Sequence, residues 1–165
     1  MKPISPERHD EVLRWAFRLQ ERAPFIISTT EAQFYRRIVF QENQRRKAEG
    51  KEPIGRHCDD LAREPRETND GNGFIFISHT GDVYPSGFLP IDCGNVKETP
   101  LPEIYRNHPV LKSLRDPDLT KGKCGVCEFR YICGGSRARA YAVTGDYKAS
   151  EPYCTYIPKS LRNEI

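Results

Sequence analysis

Cys124, Cys127 and Cys133 stand within ten residues as Cys-x2-Cys-x5-Cys, and Cys154 follows on its own. A Cys-x2-Cys pair places two sulfurs on one turn, near enough to share a metal centre. Cys154 is remote in sequence but within reach. A helix over residues 136–143 rises about 12 Å at ~1.5 Å per residue. The ten residues 145–154 can travel back up to about 33 Å at ~3.3 Å each. A chain with such a quartet folds around it, because the four sulfurs must be brought to one place.

Spacing alone leaves three chemistries open. Three clustered cysteines plus a distant fourth is a layout used by plant-type ferredoxins, with other spacings. Structural zinc also takes four Cys, although zinc ribbons more often carry two Cys-x2-Cys knuckles and only one is present here. Six cysteines in total would also permit disulfides. The opening Met1-Lys2-Pro3-Ile4-Ser5-Pro6 leads into a charged pattern with no apolar core of a secretory signal, so the expected compartment is the cytoplasm, where metal binding is favoured over disulfides. Cys58 and Cys93 belong to no motif and read as plain thiols.

The 165 residues carry 26 Lys+Arg and 23 Asp+Glu, a net charge of 26 − 23 = +3, with a mean hydropathy of −0.70. No apolar run approaches a membrane span of about 18 residues. Residues 1–56 are net +4 and residues 57–165 net −1. That is too little basic bias for a nucleic-acid binder, and Arg45-Arg46-Lys47 reads as a solvated helix end or linker. His9, His57, His79 and His108 are scattered and form no catalytic set with Ser, Cys or Asp.

Local patterns predict the elements. Ser5, Pro6 and Glu7 suit the start of a helix over 6–22, with Val12, Leu13, Ala16 and Phe17 on one face. Phe25-Ile26-Ile27 reads as a buried strand. A second helix is expected from Thr30, with Gln33 completing a capping box and Phe34, Tyr35, Ile38 and Val39 inside. Residues 46–72 read as a linker rich in charge, Gly and Pro. Beyond it, Phe74-Ile75-Phe76-Ile77 and Val83-Tyr84 flank Thr80-Gly81-Asp82 as a hairpin. Short helices are expected over 101–105 and 109–114, and Ser136 and Gly145 bracket another.

The Cys133-Gly134-Gly135 run lets bare backbone approach a bound group and offer N–H donors. Lys121, Lys123, Arg130, Arg137 and Arg139 are close enough in sequence to offset the charge of a thiolate-ligated cluster. Phe129, Tyr131 and Tyr141 are candidates to exclude water from it.

The stretch Gly73-Phe74-Ile75-Phe76-Ile77-Ser78-His79-Thr80-Gly81-Asp82-Val83-Tyr84-Pro85-Ser86-Gly87-Phe88, followed by Gly94-Asn95-Val96, Leu101-Pro102-Glu103-Ile104-Tyr105 and the cysteine run, resembles a SPASM domain. Such domains are iron–sulfur extensions of radical SAM enzymes, and the resemblance is to the group of haem b and haem d1 synthases. It is strong over residues 73–158 and weaker over 6–45. It implies an α+β fold: a SPASM-like domain over 73–165, built of a β-hairpin and short helices around an iron–sulfur site, preceded by a helix–strand–helix remnant of a partial (β/α) barrel over 1–45.

The resemblance also implies that Cys124, Cys127, Cys133 and Cys154 ligate an auxiliary 4Fe-4S cluster, with zinc as the alternative occupant. A second auxiliary cluster is not expected, because Ser86 and Arg137 stand where the family places cysteines. The Cys-x3-Cys-x2-Cys loop that holds the SAM cluster is absent from the sequence. The chain alone is therefore not expected to cleave SAM. A radical SAM barrel in a missing N-terminal part or a partner chain would supply that site, with a tetrapyrrole or a peptide as substrate and neither nucleic acid nor membrane as partner.

Overall fold

The first helix begins where side-chain chemistry starts it. Ser5 accepts the Arg8 N–H at 3.2 Å, Pro6 occupies the first turn, and α1 runs Pro6–Gln20. Leu13, Ala16 and Phe17 are its buried residues. The computed structural model describes residues 4–25, 27, 29–54 and 68–164. Cys58 and residues 55–67 of the stretch read as a linker lie outside them.

The strand expected at Phe25–Ile27 is not formed among the described residues. Ile26 lies outside them, and Phe25 is 63% exposed. A strand needs a neighbouring edge to pair with. Here the backbone groups go to a side chain instead: the Gln20 amide donates to the Phe25 carbonyl at 2.8 Å, and its oxygen accepts the Ile27 N–H at 2.5 Å. Among the described residues the N-terminal piece shows two helices, α1 and a second one, and no strand.

The second helix, α2, spans Tyr35–Ala48 and starts later than the capping box at Thr30 would place it. Thr30 and Gln33 therefore lie ahead of the helix and form no capping box, and the Gln33 amide instead donates to Asn69 Oδ1 at 3.2 Å. At the other end, Arg45, Arg46 and Lys47 fill the last turn, where cations suit the helix dipole. The run that read as a helix end is one, and it extends the helix into the stretch taken as linker.

Four two-residue strands follow. β1 (Asn69–Asp70) pairs in parallel with β2 (Gly73–Phe74), and β3 (Phe76–Ile77) pairs antiparallel with β4 (Val83–Tyr84) in the register Phe76↔Tyr84 and Ile77↔Val83. The hairpin is closed as its turn residues predict, with Gly81 N–H on the Ser78 carbonyl at 3.0 Å. Then come α3 (Leu101–Asn107), α4 (Pro109–Leu114), a 3-10 turn at Pro117–Leu119, the one-turn helices α5 (Gly122–Gly125) and α6 (Arg130–Cys133), and α7 (Arg137–Thr144). Helix α7 has the expected ends: Ser136 Oγ accepts the Arg139 N–H at 3.1 Å, and Gly145 closes it in the left-handed region.

Two apolar clusters hold these pieces. Val83, Cys93, Ile104 and Leu111 form one, under the hairpin and α3–α4. Leu13, Ala32, Phe34 and Ile38 form the other, and Cys133, Tyr153 and Cys154 pack against it. The helices α1 and α2 thus sit directly against two of the four motif cysteines.

Candidate metal centre

Each motif cysteine is placed by a different local device. Cys124 lies in α5, Cys127 in the turn after it, Cys133 at the end of α6, and Cys154 after the turn at Pro152–Tyr153. Gly125 is needed between the first two, since a Cβ there would lie 2.1 Å from the Thr120 carbonyl oxygen. After Cys133, Gly134 and Gly135 both take positive φ (62° and 65°), a reversal costly for any residue with a Cβ. The return of the chain to Cys154 is stitched onto α5. Lys121 N–H donates to the Lys148 carbonyl at 2.7 Å, and Ser150 Oγ both accepts from Cys124 N–H at 3.4 Å and donates to the Lys121 carbonyl at 3.1 Å.

The result is one cavity lined by Cys124, Cys127, Cys133 and Cys154 together, with Arg37, Lys123, Phe129, Arg130, Glu151 and Tyr156 among its other walls. The four cysteines are half-buried and free of disulfides. No three His, Cys, Asp or Glu side chains among the described residues gather closely enough to hold a single metal ion. The four thiols share the walls of one cavity.

Backbone donors point at the sulfurs. The Glu151 N–H reaches Cys124 Sγ at 3.3 Å. Burial pushes the Cys133 thiol up to about 12, with the Gly135 N–H opposing it. Burial also raises Cys127, where the Phe129 N–H acts the other way. It raises Cys154, where the Arg37 charge and the Tyr156 N–H oppose it. Without a metal centre the neutral thiols are favoured, so loading one displaces protons. The donor set is all sulfur, which suits zinc, Cu(I) or iron–sulfur centres and not hard cations.

The surrounding charges are arranged differently from the sequence expectation. Lys123 and Arg130 do line the cavity. Lys121 instead pairs with Asp146 at 2.6 Å, largely in solvent. Arg137 is buried in a cage of carbonyls from Gly135, Tyr147 and Ala149. Arg139 pairs with the buried Glu151 at 2.9 Å. Of the aromatics, Phe129 is a wall, whereas Tyr131 is 50% exposed and donates its hydroxyl to Asp118. Tyr141 is not among the cavity residues.

Two walls escaped the sequence reading. Tyr156 packs edge-on against Phe129 at 5.3 Å; its place two residues after Cys154 was the available signal. Arg37 arrives from α2 and carried no signal. Ser86, at one position where the resemblance expects a cysteine, accepts N–H groups of Phe88 and Leu89 at 3.1 Å. Cys93 is buried in the other apolar cluster, away from the four.

Residues 69–128 match the model of SPASM, an iron–sulfur cluster-binding domain. An AdoMet-dependent heme synthase of Methanosarcina barkeri is 39% identical over 161 residues, covering 94% of this chain and 43% of the relative. A pre-heme d1 synthase of Dinoroseobacter shibae is 40% identical over 88 residues, 51% of this chain and 22% of the relative. A PqqA peptide cyclase of Granulibacter bethesdensis is 30% identical over 107 residues, 61% of this chain and 29% of the relative. The chain spans less than half the length of each. Among the described residues no helix is long and apolar enough to cross a membrane. Residues 69–128 match the SPASM iron–sulfur cluster-binding domain, and the chain along nearly all its length is similar to AdoMet-dependent heme synthases.

Proposed function

We propose that Cys124, Cys127, Cys133 and Cys154 hold one auxiliary 4Fe-4S cluster, and that the chain serves AdoMet-dependent modification of a tetrapyrrole. The observation that carries this reading is the shared cavity: the Cys124–Cys127 turn, the end of α6 and the chain after Pro152–Tyr153 bring four thiols to its walls, with no carboxylate needed to complete the set. The all-sulfur donor set suits an iron–sulfur core, with a single zinc ion as the alternative occupant. Such a cluster supplies one-electron relay or a docking point for substrate.

The chain's own residues do the rest. The Glu151 and Gly135 N–H groups donate toward sulfur, which lowers the effective negative charge of the centre. Phe129 and Tyr156 cover one side and exclude water. Among the matched relatives, the heme and pre-heme d1 synthases share more identity with this chain than the peptide cyclase does. This supports a tetrapyrrole as the substrate class ahead of a peptide. AdoMet cleavage belongs to a radical SAM barrel outside these residues, in the same protein or in a partner chain.

Anaerobic reconstitution with iron and sulfide tests the assignment. About four Fe and matching sulfide per chain are expected, with iron content falling sharply in Cys133→Ser and Cys154→Ser. One tightly held Zn with no retained iron would overturn it and leave a zinc-stabilised interaction domain.

A further inference from the structure

Helix α2 brings a charge to the cysteine cavity that the cavity does not balance. Arg37 is 2% exposed and lines the same cavity as the four thiols. Burying a guanidinium is costly unless it is fully paired and hydrogen-bonded. Arg37 is only partly so. One nitrogen reaches Asp10 Oδ1 at a long 3.2 Å and another reaches the Gln41 amide oxygen at 2.7 Å, while Nε is buried with no partner. Asp10 is itself shared, since Arg14 holds its other oxygen at 2.7 Å. The planar face of the guanidinium lies 4.8 Å from the centre of the Tyr156 ring.

The other cations near the cavity, Lys123, Arg130 and Arg139, are only half-buried. Arg130 is engaged by Asp118 at 2.8 Å in a partly exposed pair, where solvent screens its field. Lys123 donates to the Cys154 carbonyl, and Arg139 is bound to Glu151. Among the described residues, Arg37 is the buried cation of this cavity whose compensation is incomplete. An anion on the far side of it would complete the balance.

We propose that Arg37 is a positioning residue that raises the reduction potential of the cluster assigned above, and that Asp10 sets how much of its charge the cluster feels. This rests on the cluster assignment. Four thiolates on an oxidised 4Fe-4S core carry about −2 in total. One electron accepted from a one-electron donor makes that about −3, with no bond broken and no proton required. A fixed positive charge in a water-poor wall stabilises the more negative state more strongly, so it favours reduction.

The test is anaerobic redox titration of reconstituted full chain, followed by the visible and EPR signals of the cluster, with iron counted in every sample. R37Q is expected to shift the midpoint potential down at unchanged iron content. R37K is expected to stay near wild type. D10N keeps the shape but removes the opposing carboxylate, and is expected to shift it up. Loaded R37Q with an unchanged potential, or R37K falling as far as R37Q, would overturn the inference. If R37Q does not retain iron, D10N decides alone, and an unchanged or lower value overturns it. If wild type itself takes up no iron, the cluster assignment falls and this inference with it, whereas iron in every variant at one common potential overturns this inference only.

Discussion

The backbone N–H of Glu151 donates to Cys124 Sγ at 3.3 Å while its carboxylate, 1% exposed, is clamped from three sides. Ser136 N–H and Tyr153 N–H donate to it at 2.8 and 3.0 Å, and Arg139 pairs with it at 2.9 Å. One residue therefore anchors the start of α7, the approach to Cys154 and a donor to sulfur. Removing one partner of a buried, hydrogen-bonded pair costs about 3 kcal/mol. Glu151→Ala is expected to lose about that much in a urea titration and to bind less iron. Glu151→Gln keeps most acceptors and is expected to lose about 1 kcal/mol. Equal losses for the two would show that the carboxylate is not the anchor.

Gly135 and Gly145 separate backbone strain from crowding. Both have positive φ (65° and 75°). A Cβ at Gly145 meets nothing within 4 Å, whereas one at Gly135 lies 2.4 Å from an Arg137 guanidinium nitrogen and 3.0 Å from Glu151 Cβ. That guanidinium is held by three carbonyls and has little freedom to give way. Gly145→Ala is expected to cost about 1–2 kcal/mol, the left-handed penalty alone. Gly135→Ala adds overpacking and is expected to cost about 3–4 kcal/mol, with lowered iron retention. Thermal unfolding of both variants measures the difference, and equal costs would refute the crowding argument.

These contacts mark where the sequence stopped being readable. Ser5, Ser136 and Gly145 were legible because a cap is decided within four residues. The Thr80-Gly81-Asp82 turn was legible for the same reason. The four cysteines were legible as a candidate set because a Cys-x2-Cys turn, a near third cysteine and a reachable fourth can meet, and the structure brings all four to one cavity. Arg37 was not, because an Arg on a helix normally faces solvent, and only the packing of α2 against Cys133 and Cys154 buries it. Gln33 misled in the same way. Its spacing from Thr30 suits a cap, but the helix starts only at Tyr35, and the Gln33 amide turns to Asn69, far along the chain. The strand expected at Phe25–Ile27 is not formed at Phe25 and Ile27, and Ile26 lies outside the described residues, because propensity cannot supply a neighbouring edge.

Asp10 gives the N-terminal helices a defined acid sensitivity. Burial pushes its carboxyl up, but the hydrogen bonds and charges of Arg14 and Arg37 outweigh that and hold it below the usual carboxylate range. A carboxyl lowered in the folded state contributes stability that is fully present above its unfolded value of about 3.9 and is lost as pH falls through the lower folded value. The urea midpoint of wild type is therefore expected to fall on going from about pH 5 to about pH 3. Asp10→Asn should start lower at neutral pH and fall less, so that the two curves converge in acid. Parallel curves would mean that Asp10 does not carry the effect.

Cys93 should behave unlike the other cysteines described. It is 3% exposed among Val83, Ile104 and Leu111, and its thiol donates to the Ile91 carbonyl at 3.5 Å. Burial, with the Asp92 charge beside it, pushes the thiol up to about 11. Near pH 8 only about one molecule in a thousand then carries the reactive thiolate, and packing blocks access to it. In iron-loaded protein, iodoacetamide followed by peptide mapping is expected to leave Cys93 unmodified until the fold is opened with urea. Cys93→Ala is expected to cost about 1–2 kcal/mol from the small cavity it leaves, while iron content stays at the wild-type value. Fast alkylation in the folded protein would contradict the burial, and loss of iron from Cys93→Ala would place this thiol in the metal site.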